Sequence, residues 1–152
     1  RGDPPEVGWQ RAERGMESDY FHDIVMLPGE PPALFLAGGH GSPQYWDRPT
    51  GADGRIYRSE DSGRSWRQVG AGLPVAHPGM CWQLVRDPYD GNAILAAFGD
   101  VARGHTAGPP GEGDIYRSRD RGDSWERIGR QKRGSKFLGL PAIRVLWAAA
   151  EG

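Results

Sequence analysis

An eleven-residue motif occurs twice in this chain, and no other feature of the sequence restricts its fold so tightly. Ile56-Tyr57-Arg58-Ser59-Glu60-Asp61-Ser62-Gly63-Arg64-Ser65-Trp66 returns 59 residues later as Ile115-Tyr116-Arg117-Ser118-Arg119-Asp120-Arg121-Gly122-Asp123-Ser124-Trp125. The shared pattern, I-Y-R-S-x-D-x-G-x-S-W, is an internal repeat, and a period of this size points to a propeller or an array of like units. The chemistry of the motif is that of a hairpin. Ile-Tyr-Arg-Ser is a short run with β-favouring residues. Ser-x-Asp-x-Gly is turn chemistry, in which the carboxylate accepts N–H groups of its own turn and glycine supplies a positive φ. Ser-Trp opens the returning strand, with the indole covering the loop.

The repeat extends beyond the motif. Asp23-Ile24-Val25-Met26-Leu27-Pro28 and Ala33-Leu34-Phe35-Leu36-Ala37 match Gln83-Leu84-Val85-Arg86-Asp87-Pro88 and Ala93-Ile94-Leu95-Ala96-Ala97 without a gap, 60 residues apart. Each copy reads as strand, turn, strand, with Gly29-Glu30-Pro31-Pro32 and Tyr89-Asp90-Gly91-Asn92 as the turns. The second strand of each copy is continuously apolar, which predicts burial on both faces. Four strands per unit follow: 24–27, 33–37, 55–58 and 65–69, then 83–86, 93–97, 115–117 and 124–128. Trp9-Gln10-Arg11-Ala12 resembles the stretch after each box. Residues 1–20 therefore read as the end of a preceding blade, 21–80 and 81–140 as two blades, and 141–152 as the start of a following one, opened by Ile143-Arg144-Val145-Leu146-Trp147. The expected fold is all-β: a fragment of a β-propeller, two four-stranded antiparallel blades plus parts of flanking blades. A closed propeller has about 4–8 blades, so the remaining blades of a longer chain are expected partners, covering apolar faces that would otherwise be bare.

The motif resembles the Asp-box, or BNR, repeat of sialidase-like propellers. Ser59, Asp61, Gly63, Ser65 and Trp66 match it, as do Ser118, Asp120, Gly122, Ser124 and Trp125. The resemblance implies a hairpin between the third and fourth strands of a blade, and a structural role for these ten residues. The same box occurs in sialidases, sortilin-type receptors, xyloglucanase-type glycosidases and photosystem II assembly factors, so it implies fold far more than function. The even spacing of about 60 residues resembles the sortilin and xyloglucanase-type arrays more than the sialidases, and a sialidase-type F/Y-R-I-P start is absent. The resemblance alone implies an extracellular or periplasmic location.

A formal charge of −1 gives no electrostatic case for nucleic acid or a membrane surface. No apolar run approaches the ~20 residues of a membrane span. Cys81 is the one cysteine, which excludes an intrachain disulfide and reads as a small buried hydrophobe. His22, His40, His77 and His105 have no metal-ligand spacing, and neither a metal nor a cofactor is expected.

Strand alternation assigns the loops to two rims. The short turns and both boxes share one rim, and the long loops share the other, where function tends to live on a rigid scaffold. The candidate ligand-binding residues are therefore Tyr45, Trp46, Asp47, Arg48, Arg103 and His105. His40, Gln44, His77, Met80, Cys81 and Trp82 lie on the same rim. Two readings of function follow. The favoured one is a non-catalytic propeller that binds a protein or glycan, or acts as a scaffold. The alternative is a glycoside hydrolase, sialidase-like or xyloglucanase-type. A hydrolase of the second type needs two acids across a cleft, and Asp47 and Asp100 are the candidates, although they stand at unmatched positions of their loops.

Overall fold

The computed structural model describes residues 11–46, 50–99 and 113–131. Eight strands follow one another: β1 Tyr20–Leu27, β2 Ala33–Gly39, β3 Arg55–Ser59, β4 Arg67–Val69, β5 Met80–Arg86, β6 Ile94–Gly99, β7 Gly113–Ser118 and β8 Glu126–Gln131. They form two four-stranded antiparallel meanders, β1-β2-β3-β4 and β5-β6-β7-β8. Among the described residues a single 3-10 turn, Pro43–Tyr45, sits in the β2–β3 loop. The described residues are all-β, and the two sheets are the four-stranded units expected of the repeat, each called a blade below.

The strand ends differ from the sequence pattern for definite reasons. The first strands start earlier, at Tyr20 and Met80 rather than at 24 and 83. A bulge between Phe21 and Asp23, repeated between Cys81 and Gln83, lets pairing continue past the polar residue. The fourth strands start later, at Arg67 and Glu126 rather than at 65 and 124. The box serine and tryptophan belong to the turn, because their N–H groups are taken elsewhere. Ser65 N–H goes to Asp61, and Trp66 N–H goes to the Arg14 carbonyl at 2.8 Å. In the second blade Ser124 N–H goes to Asp120, and Trp125 N–H goes to the Ala71 carbonyl at 2.7 Å.

Residues 11–19 thus occupy on the first blade the place that the β4–β5 connector occupies on the second. Both segments turn on a glycine held against the box tryptophan. Gly15 and Gly72 have φ of +88° and +91°, and a Cβ there would fall 2.0 and 1.9 Å from the carbonyl oxygens of Trp66 and Trp125.

The core lies between the sheets, where β5 packs against β1, β2 and the edge of β3. Leu27, Ala33, Phe35, Ala37, Ile56 and Val69 of one blade meet Cys81, Leu84, Ile94, Ala96, Phe98, Tyr116 and Trp125 of the other. Each large apolar side chain so buried stabilises the pair by about 1.5–3 kcal/mol. In β2 the odd positions are fully buried toward the second blade, while Leu34 and Leu36 on the opposite face are half-buried. Burial on both faces, expected from the apolar run, is complete on one face only.

Polar contacts fix the angle between the blades. Asp23 Oδ2 accepts the Leu84 N–H at 2.7 Å. Buried Arg58 reaches across to the Arg121 carbonyl and to Asp123 Oδ1 at 2.9 Å. Arg121 reaches back, donating to the Pro28 and Pro31 carbonyls at 2.6 and 3.1 Å. The second box is thereby clamped over the β1–β2 turn of the first blade, so short turns and boxes do share one rim.

Candidate functional site

The box carboxylates are committed to their own turns. Asp61 accepts the Ser65 hydroxyl at 2.6 Å through Oδ2, and the Ser65 N–H at 2.9 Å and Ser59 hydroxyl at 2.8 Å through Oδ1. The Ser59 hydroxyl oxygen in turn accepts the Gly63 N–H at 2.9 Å. Asp120 repeats the pattern with Ser124 and Ser118, and Ser118 Oγ accepts the Gly122 N–H at 2.8 Å. Hydrogen bonds from the Ser65 hydroxyl and N–H, then from Ser59, hold the Asp61 carboxyl down at about 2. For Asp120 burial pushes upward, but the bonds from Ser124 and Ser118 outweigh it and the carboxyl again rests at about 2. Both groups are anions with their lone pairs engaged in closing a hairpin. Ser62 and Arg121, at φ of +62° and +58°, precede glycines at +82° and +85°, which makes each turn two consecutive left-handed residues.

On the long-loop rim, Trp46 is 8% exposed, and its indole N–H is shared by the His40 and Gly41 carbonyls, each at 2.9 Å. Its ring packs with Met80 and Ala52, edge-on to Tyr20 at 5.3 Å. Trp46 therefore fastens the β2–β3 loop to the sheet, and its faces are not open for a ligand to stack upon. Tyr45 beside it is 62% exposed. Asp47, Arg48, Asp100, Arg103 and His105 lie outside the described residues.

The connector residues turn inward. His77 is buried; its Nδ1 lies 2.9 Å from the Gly79 nitrogen and 3.2 Å from the Gly79 carbonyl oxygen, and its Nε2 stands 3.2 Å from Asp114 Oδ2. Its ring lies 4.5 Å from that of Phe98. Met80 and Cys81 are fully buried, and burial pushes the Cys81 thiol far up, leaving it an inert apolar group as its sequence context predicts. Among the described residues no three His, Cys, Asp or Glu side chains cluster as metal ligands would.

The residue that the sequence reading left out of this face is His22. It and Trp82 occupy the bulges of β1 and β5, where the extra residue is turned out of the strand's regular alternation. Their rings meet edge to face, 4.8 Å apart at 86°. Trp82 is half-buried and fixed by a bond from its indole N–H to the Gly99 carbonyl at 3.0 Å, with Trp46 behind it at 5.8 Å. His22 is exposed. At the loop edge Asp19 Oδ1 accepts the Gly41 N–H at 2.6 Å and stands 3.5 Å from His40 Nδ1. The available signal was the ungapped match of His22 with Trp82, one place before Asp23 and Gln83 interrupt the apolar strands.

No protein-family model matches the chain, and no curated protein matches it. A similar solved structure is that of a mutant α-L-arabinofuranosidase from Fusarium graminearum in complex with an iminosugar inhibitor. The identity is 17% and the TM-score 0.46, with 77% of this chain and 33% of that chain covered. The chain thus spans about a third of that protein's length, and at this score the likeness carries no weight for function.

Proposed function

We propose that this chain is a non-catalytic, Asp-box-type propeller module that takes a carbohydrate or protein ligand on its long-loop face. The observation that carries the reading is the His22–Trp82 pair. Two equivalent bulges aim two rings at one rim, at the strands through which the blades approach each other. A ring held rigidly by its own indole bond loses little entropy when a sugar or an apolar side chain settles on it. Exposed Tyr45 and the Asp19–His40 pair stand on the same rim and can bond hydroxyl or amide groups.

The test is to screen the chain on a glycan array and against chromogenic glycosides, then repeat both with Trp82→Ala and His22→Ala. A stacked ring is worth about 1–3 kcal/mol by analogy with base stacking, so Trp82→Ala should weaken binding by about 5- to 150-fold. Binding unmoved by both substitutions would show that the ligand sits elsewhere, and glycoside turnover by the wild-type chain would replace this reading with a hydrolase.

A further inference from the structure

The two boxes share a turn and a pattern of carboxylate bonds, but their surroundings differ, and the differences open a cleft beside the first. In the second box the indole of Trp125 donates its N–H to the Gly122 carbonyl at 3.2 Å. In the first, Trp66 is 8% exposed, and its Nε1 is buried with no hydrogen-bond partner among the described residues. Arg117 is held within its own blade by Asp87 at 2.7 Å. Sixty residues before Asp87 stands Leu27, so Arg58, the counterpart of Arg117, has no such acid to meet. It crosses instead to Asp123 at 2.9 Å and to the Arg121 carbonyl. The Nε atoms of both arginines are buried without a partner, so what marks the first box is its indole. Arg119 and Glu126 flank the second box and pair with each other at 3.8 Å. The first box carries the same two charges in reverse order, Glu60 and Arg67, and they are drawn apart: Glu60 to Arg58 and Arg67 to Asp123, each at 3.5 Å. A cleft of about 230 Å³ results, lined by Arg58, Glu60, Asp61, Ser65, Trp66 and Arg67.

We propose that this cleft is a second binding site, on the box rim, for one neutral sugar ring, with Trp66 Nε1 and Arg58 Nε donating to its hydroxyl oxygens and the Glu60 carboxylate accepting a hydroxyl proton. A buried N–H left without an acceptor is costly, and a ligand oxygen placed there removes the cost. The charges select the class of ligand. Arg58 and Arg67 already face the carboxylates of Glu60, Asp61 and Asp123, so the surplus is negative and an anion gains nothing by entering. A neutral acceptor meets the two N–H groups without that repulsion. Half-exposed Glu60 calls for a group that also donates, and a hydroxyl does both. Asp61 takes no part, because its lone pairs close the turn. The cleft is larger than a cavity of about 150 Å³ that holds a benzene ring, which suits one substituted ring rather than an extended peptide. The site stands on the opposite rim from His22 and Trp82 and does not depend on them.

Titration of the isotope-labelled full chain with D-glucose, D-galactose and D-xylose, followed by the indole N–H resonances, tests this directly. The Trp66 signal, identified by its loss in Trp66→Phe, should shift saturably with at least one of the sugars while that of Trp125 stays in place. Glu60→Gln alters a surface side chain outside the box bonds and should weaken binding about fivefold or more. The Trp66 N–H makes no bond in the fold, so Trp66→Phe should keep the melting temperature better than Trp125→Phe does. It should nonetheless weaken binding by a similar factor, read by saturation transfer to the sugar. Trp82→Ala should leave this titration unchanged, which separates the result from that on the long-loop rim. No shift with any of these sugars would overturn the proposal, and so would an affinity indifferent to Glu60→Gln or a shift abolished by Trp82→Ala. A shift produced by acetate or by N-methylacetamide and not by the sugars would also overturn it, and would assign the cleft to an anion or to a peptide.

Discussion

Gly63 and Gly122 fill the same position of the same motif, yet alanine should be far more damaging at the second. Both have left-handed backbones, at φ of +82° and +85°, so both substitutions carry the cost of a Cβ in that region, about 1–2 kcal/mol. At Gly63 the added methyl would lie 3.6 Å from Trp66 Cζ2 and 3.8 Å from Leu34 Cδ1, ordinary contact distances. At Gly122 it would lie 2.4 Å from Phe35 Cε1 and 3.0 Å from Cζ. Phe35 is fully buried between the blades and has no room to retreat. The turn cannot lift away either, because Arg121 is tied to Pro28, Pro31 and Arg58. Overpacking of this kind adds about 1–3 kcal/mol. Urea unfolding followed by tryptophan fluorescence at low chain concentration should therefore place the Gly122→Ala midpoint below that of Gly63→Ala. For slopes of about 1–3 kcal/mol/M, a 2 kcal/mol difference moves the midpoint by roughly 1 M. Phe35→Leu should cost less in the Gly122→Ala background than in wild type, since the contact is shared, and should be additive with Gly63→Ala. Equal midpoints for the two alanine variants, or additivity in both backgrounds, would refute the argument that the second box is packed on the first blade.

Two further outcomes are expected. The Asp61 and Asp120 carboxyls are held at about 2 in the folded chain, below the ~3.9 of a free aspartate. Their contribution to stability is therefore complete above about pH 5 and is lost as pH falls through the folded value. Unfolding midpoints measured from pH 7 to 2 should fall less steeply for an Asp61→Asn/Asp120→Asn chain than for wild type, and parallel curves would argue against box carboxylates that are strongly bonded. Asp23→Ala strands the Leu84 N–H between the blades and should destabilise by about 1–3 kcal/mol. An unchanged urea midpoint would mean that this bond does not help hold the sheets together.

Repetition made the fold readable. The box pattern and the ungapped match from Asp23 to Ala37 set eight strands and their order, because turn chemistry and apolar runs are local properties. The bulges were not readable, since a bulge is a relation between two strands and Asp23 looks like any polar residue closing an apolar run. His22 was missed for the same reason, and Trp82, already placed on that rim, was not seen to be its partner: the bulges are what bring the two rings together. Trp46 was ambiguous on chemical grounds. An aromatic residue beside charged neighbours suits a ligand or a loop anchor equally, and what decides is the pair of carbonyls, His40 and Gly41, that its indole N–H meets. The interblade reach of Arg58 was likewise hidden, because its partners Arg121 and Asp123 lie 63 and 65 positions away.

The repeats that make the fold readable also pose a problem for the chain, which must tell two nearly identical sheets apart. The sheets differ where the segment leading into each blade meets the start of the third strand. In the first blade that position is Arg55, bonded to Glu17 of the leading segment and to Asp53 and Gln68 at 3.1 and 3.2 Å. In the second the same position is Asp114, with His77 of the connector at 3.2 Å and Arg127 and Arg130 at 3.7 Å. The node is conserved in place and inverted in sign. Exchanging the leading segments would set Glu17 against Asp114, two carboxylates at a site where Asp114 is largely buried and screening by water is weak. It would also leave Arg55 facing an imidazole in place of a carboxylate. Specificity between competing arrangements rests on such a difference rather than on the strength of either pair. The box motifs give both sheets one shape, and the polar nodes under the connectors give each sheet its own leading segment.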